Sequence, residues 1–336
     1  MQKIIYIFFF LIFAFGLKAQ TSYSEQAAFY AEKGEYEKAI ELETENLKQI
    51  EKDKGTNNED YAVSLSFLAY YHSSLGNYQE AIRLVSEALK IYEEVLGRNH
   101  PDYATTLHSL ALYNAYLGNY QEAIRLGTEA LKICETVLGM NHPDYATSLH
   151  NLASYNADLG NYQEAIRLGT EALKIREEVL GRNHPYYATS LDNLAGYNSD
   201  LGNYQEAIRL ETEALKIREA VLGRNHPDYA GSLNNLALYN SDLGNNQEAI
   251  RLGTEALKIC EAVLGRNHPN YAASLDNLAS YNSNLGNYQE AIRLGSEALK
   301  ICEAVLGRNH PDYAASLNDL AYYHSSLGNY QEAIRL

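Results

Sequence analysis

Residues 101–142 read PDYATTLHSLALYNAYLGNYQEAIRLGTEALKICETVLGMNH, and this segment decides the architecture. Pro101 has a fixed φ and lacks an N–H, which suits the first turn of a helix, and Asp102 sets a negative charge at the positive end of the helix dipole. Leu107, Leu110, Ala111 and Leu117 then recur three and four residues apart, giving one apolar stripe that Leu117-Gly118-Asn119 breaks. Ala123, Ile124, Leu126, Ala130, Leu131, Ile133 and Leu138 form a second stripe that ends at Gly139. The spacing predicts helices over Pro101–Tyr116 and Tyr120–Leu138, joined as a hairpin, with no strand.

The same hairpin recurs along the chain. Gly76, Gly118, Gly160, Gly202, Gly244, Gly286 and Gly328 are 42 residues apart, with Gly34 one step earlier in a more divergent unit. His-Pro pairs keep step at His100, His142, His184, His226, His268 and His310 and account for all 6 prolines, so none interrupts an intended helix. A hairpin cannot hide both stripes alone, so about eight units must stack around a shared core. Ala111 and Ala123 mark the close approach of two helices. Glu122, Arg125, Glu129 and Lys132 pair opposite charges on the outer face, each pair worth only ~0.2–0.5 kcal/mol, and read as a solvated surface.

Leu-Ala, a gap, Leu-Gly-Asn-Tyr, Glu-Ala and Ala-Leu-Lys-Ile together resemble a tetratricopeptide repeat. The 42-residue period and the Leu-Gly-Arg-Asn-His-Pro-Asp-Tyr-Ala junction resemble its kinesin-light-chain subtype, from about Thr21 to Leu336. The resemblance implies an all-α, right-handed superhelical solenoid of antiparallel hairpins, whose first helices line a concave groove for a protein or an extended peptide. It implies no catalytic residue and no cofactor. An Asn that holds peptide backbone in family members falls at Asn151, Asn193, Asn235 and Asn277, with Ser109 and Asp319 in its place at the flanks. The basic residues of a carboxylate clamp would fall at Thr105, Thr147, Thr189, Gly231, Ala273 and Ala315, so that clamp is missing. Where the family has a large aromatic in the second helix, Gly127, Gly169, Gly253 and Gly295 stand, each costing ~1 kcal/mol against Ala. Tyr113, Tyr155, Tyr197, Tyr239 and Tyr281 are expected to supply that volume. The neighbouring amides, Asn114 to Asn282, are expected to hydrogen-bond between hairpins.

The groove face varies among near-identical repeats, and those places are the candidate partner contacts. They are His108, Leu112, Ala115 and Tyr116, then His150, Ser154, Ala157 and Asp158, then Asp192, Gly196 and Asp200. Asn234, Leu238 and Asp242 follow, and finally Asp276, Ser280 and Asn284. The face is polar and faintly acidic, which fits a neutral or basic segment held by amide-to-backbone hydrogen bonds.

The N-terminus reads as an export signal: Met1-Gln2-Lys3, an apolar run over Ile4–Leu17, and cleavage near Ala19. The run is short for a bilayer span, which needs about 20 residues, so the expected mature product occupies 20–336, periplasmic or secreted, with no membrane insertion after cleavage, the alternative being a signal retained as an anchor. Loss of Lys3 and Lys18 removes two positive charges from a formal −16, giving −18, and argues against nucleic acid or anionic lipid. Cys134, Cys260 and Cys302 share one place in different repeats, too far apart for a disulfide, and are expected to be partly exposed thiols because Tyr92, Arg176 and Arg218 fill the same column elsewhere. The repeating histidines read as junction caps, not metal ligands. No nucleophile elbow, phosphate-cradling loop or His-Glu-x-x-His stretch is present. The stop within a second helix at Leu336 suggests a truncated last unit. This leaves a binding scaffold or, as the alternative, the recognition arm of a larger exported enzyme or sensor, for example one with a caspase-like peptidase domain.

Overall fold

The computed structural model describes residues 22–308 and 310–336. The expected signal at 1–19 lies outside the described residues. These residues form sixteen helices and no strand. Up to Asn119 they make one compact unit: α1 (Tyr23–Glu32), α2 (Tyr36–Lys54), α3 (Glu59–Ser74), α4 (Tyr78–Val95) and α5 (Pro101–Tyr116). From Tyr120 a second unit holds α6 (Tyr120–Leu138), α7 (Pro143–Asp158), α8 (Tyr162–Leu180), α9 (Pro185–Asp200), α10 (Tyr204–Leu222) and α11 (Pro227–Asp242). It continues with α12 (Asn246–Leu264), α13 (Pro269–Asn284), α14 (Tyr288–Val305), α15 (Pro311–Ser326) and α16 (Tyr330–Arg335). The helices read from residues 101–142 coincide with α5 and α6.

Each His-Pro junction is a helix N-cap. The Nδ1 of His142, His184 and His226 accepts the backbone N–H two residues on at 3.2, 3.1 and 3.1 Å, so the imidazole satisfies one of the donors a helix start leaves open. That bond requires an unprotonated Nδ1. At the other end the chain reverses through glycine, as at Gly202 with φ 86°, a left-handed conformation that a Cβ disfavours.

The core is a ladder with one rung per hairpin. Leu149, Leu191, Leu233 and Leu275 on successive first helices of the second unit are at most 2% exposed, and each such leucine contributes ~1.5–3 kcal/mol by burial. The first unit repeats the rung with Leu65 and Leu107. Within the second unit, α7 touches α9, α11 touches α13 and α13 touches α15, so first helices meet first helices across successive hairpins.

The glycines inside the second helices let neighbouring hairpins pack closely. A Cβ on Gly169 would lie 3.0 Å from Leu194 Cδ2, and one on Gly253 would lie 3.1 Å from Leu278 Cδ2, with the rings of Tyr197 and Tyr281 beside them. The missing aromatic volume therefore comes from the first helix of the next hairpin, as expected for Tyr155, Tyr197 and Tyr281.

Two expectations are overturned. Cys134, Cys260 and Cys302 are not partly exposed: each is buried, at 5, 5 and 4% exposure, because their column faces the first helix of the following hairpin. The buried amides do not bridge hairpins either. Asn156 donates to Leu152 O at 2.8 Å in its own helix and accepts from Asn161 of the adjoining turn at 3.4 Å, and Asn198 and Asn240 repeat the arrangement. Burial demands a partner for the amide, and the carbonyl one turn back is the nearest.

Candidate functional site

On the first-helix face of the second unit, α7, α9 and α11 enclose a cleft of about 540 Å³ lined by Ser154, Asp158, Asp192, Asn193, Asp200, Asn235 and Tyr239, among others. Eight of the expected contact residues, Ala157 and Gly196 included, thus converge on one depression. They do so because the positions they occupy are a repeat apart, and stacking turns a period in sequence into a row in space.

Several of these side chains already have work to do between hairpins. Asn193 Nδ2 lies 3.1 Å from His150 Nε2, and Asn235 Nδ2 donates to Asp192 Oδ1 at 2.8 Å. Each amide therefore spends one of its two N–H donors on the preceding hairpin, and the carbonyl oxygen remains to accept an N–H from outside. Asn151 and Asn277 make no side-chain hydrogen bond among the described residues. Asn234 donates to Ser274 at 3.1 Å, and Asp276 accepts from Ser316 at 2.8 Å, so both tie neighbouring hairpins. Burial pushes the Asp276 carboxyl up to about 6.

His150 is no free groove contact. It is packed against Arg176, whose Nη1 is 3.5 Å from its Nδ1, and burial and that cation lower it to about 4, so the ring is neutral near pH 7. His108 and Tyr116 belong to α5 in the first unit. Tyr116 is half exposed, its ring centroid 5.2 Å from that of Tyr78.

Two arginines beneath the face, Arg176 buried and Arg218 largely so, escape sequence reading, because the column that holds them also holds cysteines. Arg218 donates to Asp192 at 2.9 Å and lies 3.4 Å from Glu211, a residue with no exposure. Burial, then the Asp192 carboxylate, pushes Glu211 up to about 9, so the charged pair near neutrality is Arg218–Asp192. Arg176 has no carboxylate among its contacts. It donates to Ser190 at 2.5 Å and to Tyr186 O at 3.3 Å, and burial lowers it to about 10.

Asp158, Asp200 and Asp242 end successive first helices, are exposed, and make no ion pair or hydrogen bond among the described residues. Partial burial raises the carboxyl of each. The outer face contrasts with this. There a depression of about 460 Å³ is lined by Arg182, Arg209, Thr212, Glu213 and Lys216, but Arg182 is bonded to Glu177 at 2.7 Å and Arg209 to Glu206 at 2.7 Å. The carboxylates at the ends of the first helices have no such partners among the described residues.

Among the described residues no group of three or more His, Cys, Asp or Glu is placed to hold a metal, and no helix is long and apolar enough to cross a membrane.

The sequence profile of the tetratricopeptide repeat matches residues 18–94, 65–136, 111–178, 144–220, 200–262, 228–295 and 277–336. No curated protein matches. Among solved structures, kinesin light chain nearly identical TPR-like repeats from Podosopora anserina are similar at 29% identity and a TM-score of 0.56, over 60% of this chain and 95% of that one. BtubC (BKLC) from P. vanneervenii shares the fold at 21% identity and a TM-score of 0.59, over 73% and 94%. The apo form of the quorum sensor NprR from B. thuringiensis shares it at 14% identity and a TM-score of 0.67, over 93% and 84%.

Proposed function

Because this chain belongs to the tetratricopeptide repeat family, with kinesin-light-chain-like neighbours, we propose that it is a protein-binding scaffold that holds an extended segment of a partner on its first-helix face. The observation that carries this reading is the cleft between α7, α9 and α11, where Asn193 and Asn235 present amides one repeat apart and Asp158 and Asp200 carry unpaired charge. Extended backbone advances ~3.3 Å per residue and offers an N–H at regular intervals, so amides spaced by a hairpin meet it every few residues. The chain's formal charge of −16 favours a neutral or basic partner and disfavours nucleic acid. The export reading rests on the Met1–Ala19 pattern, and the partner on that reading is met outside the cytoplasm. No residue of the face is assigned a catalytic role.

The test is an affinity comparison on a partner recovered with the chain as bait. Asn193→Ala with Asn235→Ala should weaken binding by ~1–3 kcal/mol while the far-ultraviolet dichroism stays unchanged. Full affinity in that variant, together with its loss in Arg209→Glu on the outer face, would place the binding surface on the other side.

A further inference from the structure

One column of the first-helix face changes size from hairpin to hairpin: Ser154 on α7, Gly196 on α9 and Leu238 on α11. Each stands in register with a buried tyrosine of the following hairpin. Ser154 Oγ is 3.0 Å from the Tyr197 hydroxyl and bonds it. Below Leu238, the Tyr281 hydroxyl is sealed in with no partner. Between them, a Cβ on Gly196 would have only the Tyr239 hydroxyl within 4 Å, at 3.9 Å.

Gly196 is thus unlike the glycines of the second helices. Nothing in the packing excludes a side chain there, and its backbone is ordinary helix, so glycine costs ~1 kcal/mol against Ala with no structural return. What its absent side chain leaves is the floor of the cleft. Tyr239 is only 5% exposed, its hydroxyl faces the gap, and it has no hydrogen-bond partner among the described residues. Asp158 and Asp200 flank the opening as carboxylates without partners, whereas the charge of Asp192 is already answered by Arg218.

Resting on the groove reading above, we propose that the gap at Gly196 is a pocket for one lysine or arginine side chain of the bound segment. The aliphatic stem crosses Gly196 and Ala157, and the cationic end lies between Asp158 and Asp200 within reach of the Tyr239 hydroxyl. The chemistry selects a cation because the charge at the rim is negative and unpaired, and the stem suits a gap that no polar side chain crosses. Ser154 and Leu238 close the equivalent places, so the pocket occurs once in this row and fixes the register of the segment.

A library of random nonapeptides displayed on phage, selected against the full chain and against Gly196→Leu, tests this. Leucine is the residue the next hairpin carries in this column, so the variant should fold. Peptides selected on the natural chain should share a basic residue at one fixed position, and those selected on Gly196→Leu should not. For the best peptide, norleucine in place of that residue should raise Kd about tenfold on the natural chain and leave it nearly unchanged on Gly196→Leu. Gly196→Ser, which gives Tyr239 the partner Ser154 gives Tyr197, and Asp158→Asn with Asp200→Asn should each lose most of the preference. Binders without a fixed basic residue, an equal preference on Gly196→Leu, or no binders at all would overturn the pocket. Binders that ignore Gly196→Leu but weaken in Asn193→Ala with Asn235→Ala would overturn the pocket and leave the groove reading standing. Binders lost only in Arg209→Glu would overturn both.

Discussion

The guanidinium of Arg218 on α10 donates to the carboxylate of Asp192 on α9 at 2.9 Å, and the same group is bonded to Ser232 on α11. A single buried cation therefore joins two hairpins directly under the candidate groove, and Asn235 closes the circuit by donating to Asp192 at 2.8 Å. Arg218→Cys strands Asp192 beside Glu211 and should cost ~3–5 kcal/mol of unfolding free energy. Adding Glu211→Gly restores the Gly/Cys pairing of Gly253 with Cys260 and should recover most of that loss. Urea titrations of both single variants and the double variant check it, and an additive double variant would show that the two residues do not interact.

Arg176 is the same column without a carboxylate. Its replacement by the cysteine of the neighbouring repeats removes a buried charge while Ser190 keeps its bond to Tyr186 O at 3.1 Å and Asn193 keeps His150. Arg176→Cys is expected to raise stability by on the order of 1 kcal/mol, read as a higher Tm.

The pH profile of stability should fall on both sides of neutrality. Glu211 is raised from 4.5 to about 9 on folding, so across that window the folded chain keeps a proton that the unfolded chain has released, and stability declines as pH rises through it. His150 is lowered from 6.5 to about 4, so the unfolded chain takes a proton first and stability declines as pH falls through that interval. Denaturant midpoints from pH 4 to 9 should show both limbs, with Glu211→Gln flattening the alkaline one. An alkaline limb of full slope in Glu211→Gln would assign it to other groups.

Helix-interior glycines should respond to alanine with opposite signs. Gly169→Ala forces a methyl to 3.0 Å from Leu194 Cδ2 and should destabilise by about 1–3 kcal/mol. Gly196→Ala meets only a hydroxyl at 3.9 Å and should stabilise by up to about 1 kcal/mol. Thermal scans of the two variants side by side decide this, and a shift of the same sign in both would contradict the packing account.

The three thiols should be silent in the folded protein. Cys134, Cys260 and Cys302 are buried, and burial raises each above the ordinary thiol range, which suppresses the reactive thiolate. A chromogenic thiol reagent should detect none quickly in buffer and 3 in denaturant. Rapid labelling of the native chain would mean that the hairpins open locally.

What the sequence by itself determined was the helix starts, the breaks and the surface charge pairs, all of which act within about one helical turn. Pro101 and His100 start α5, Gly118 ends its hairpin half, and Arg125 pairs with Glu122 at 2.8 Å on an exposed face, because caps, breaks and i,i+3 pairs are set by neighbours along the chain. The row of candidate contacts was legible for the same reason, since a period in sequence becomes a row once hairpins stack. Tertiary structure alone decided what each column faces. A cysteine column shared with arginines reads as surface until stacking turns it toward the next hairpin. Asp192 reads as a free groove carboxylate until Arg218, 26 residues away, and Asn235, 43 away, arrive to occupy it. Whether a tyrosine hydroxyl is bonded, sealed or open to the cleft depends on Ser154, Gly196 or Leu238 one repeat earlier, a partnership that forms only when two hairpins pack and that no local propensity encodes.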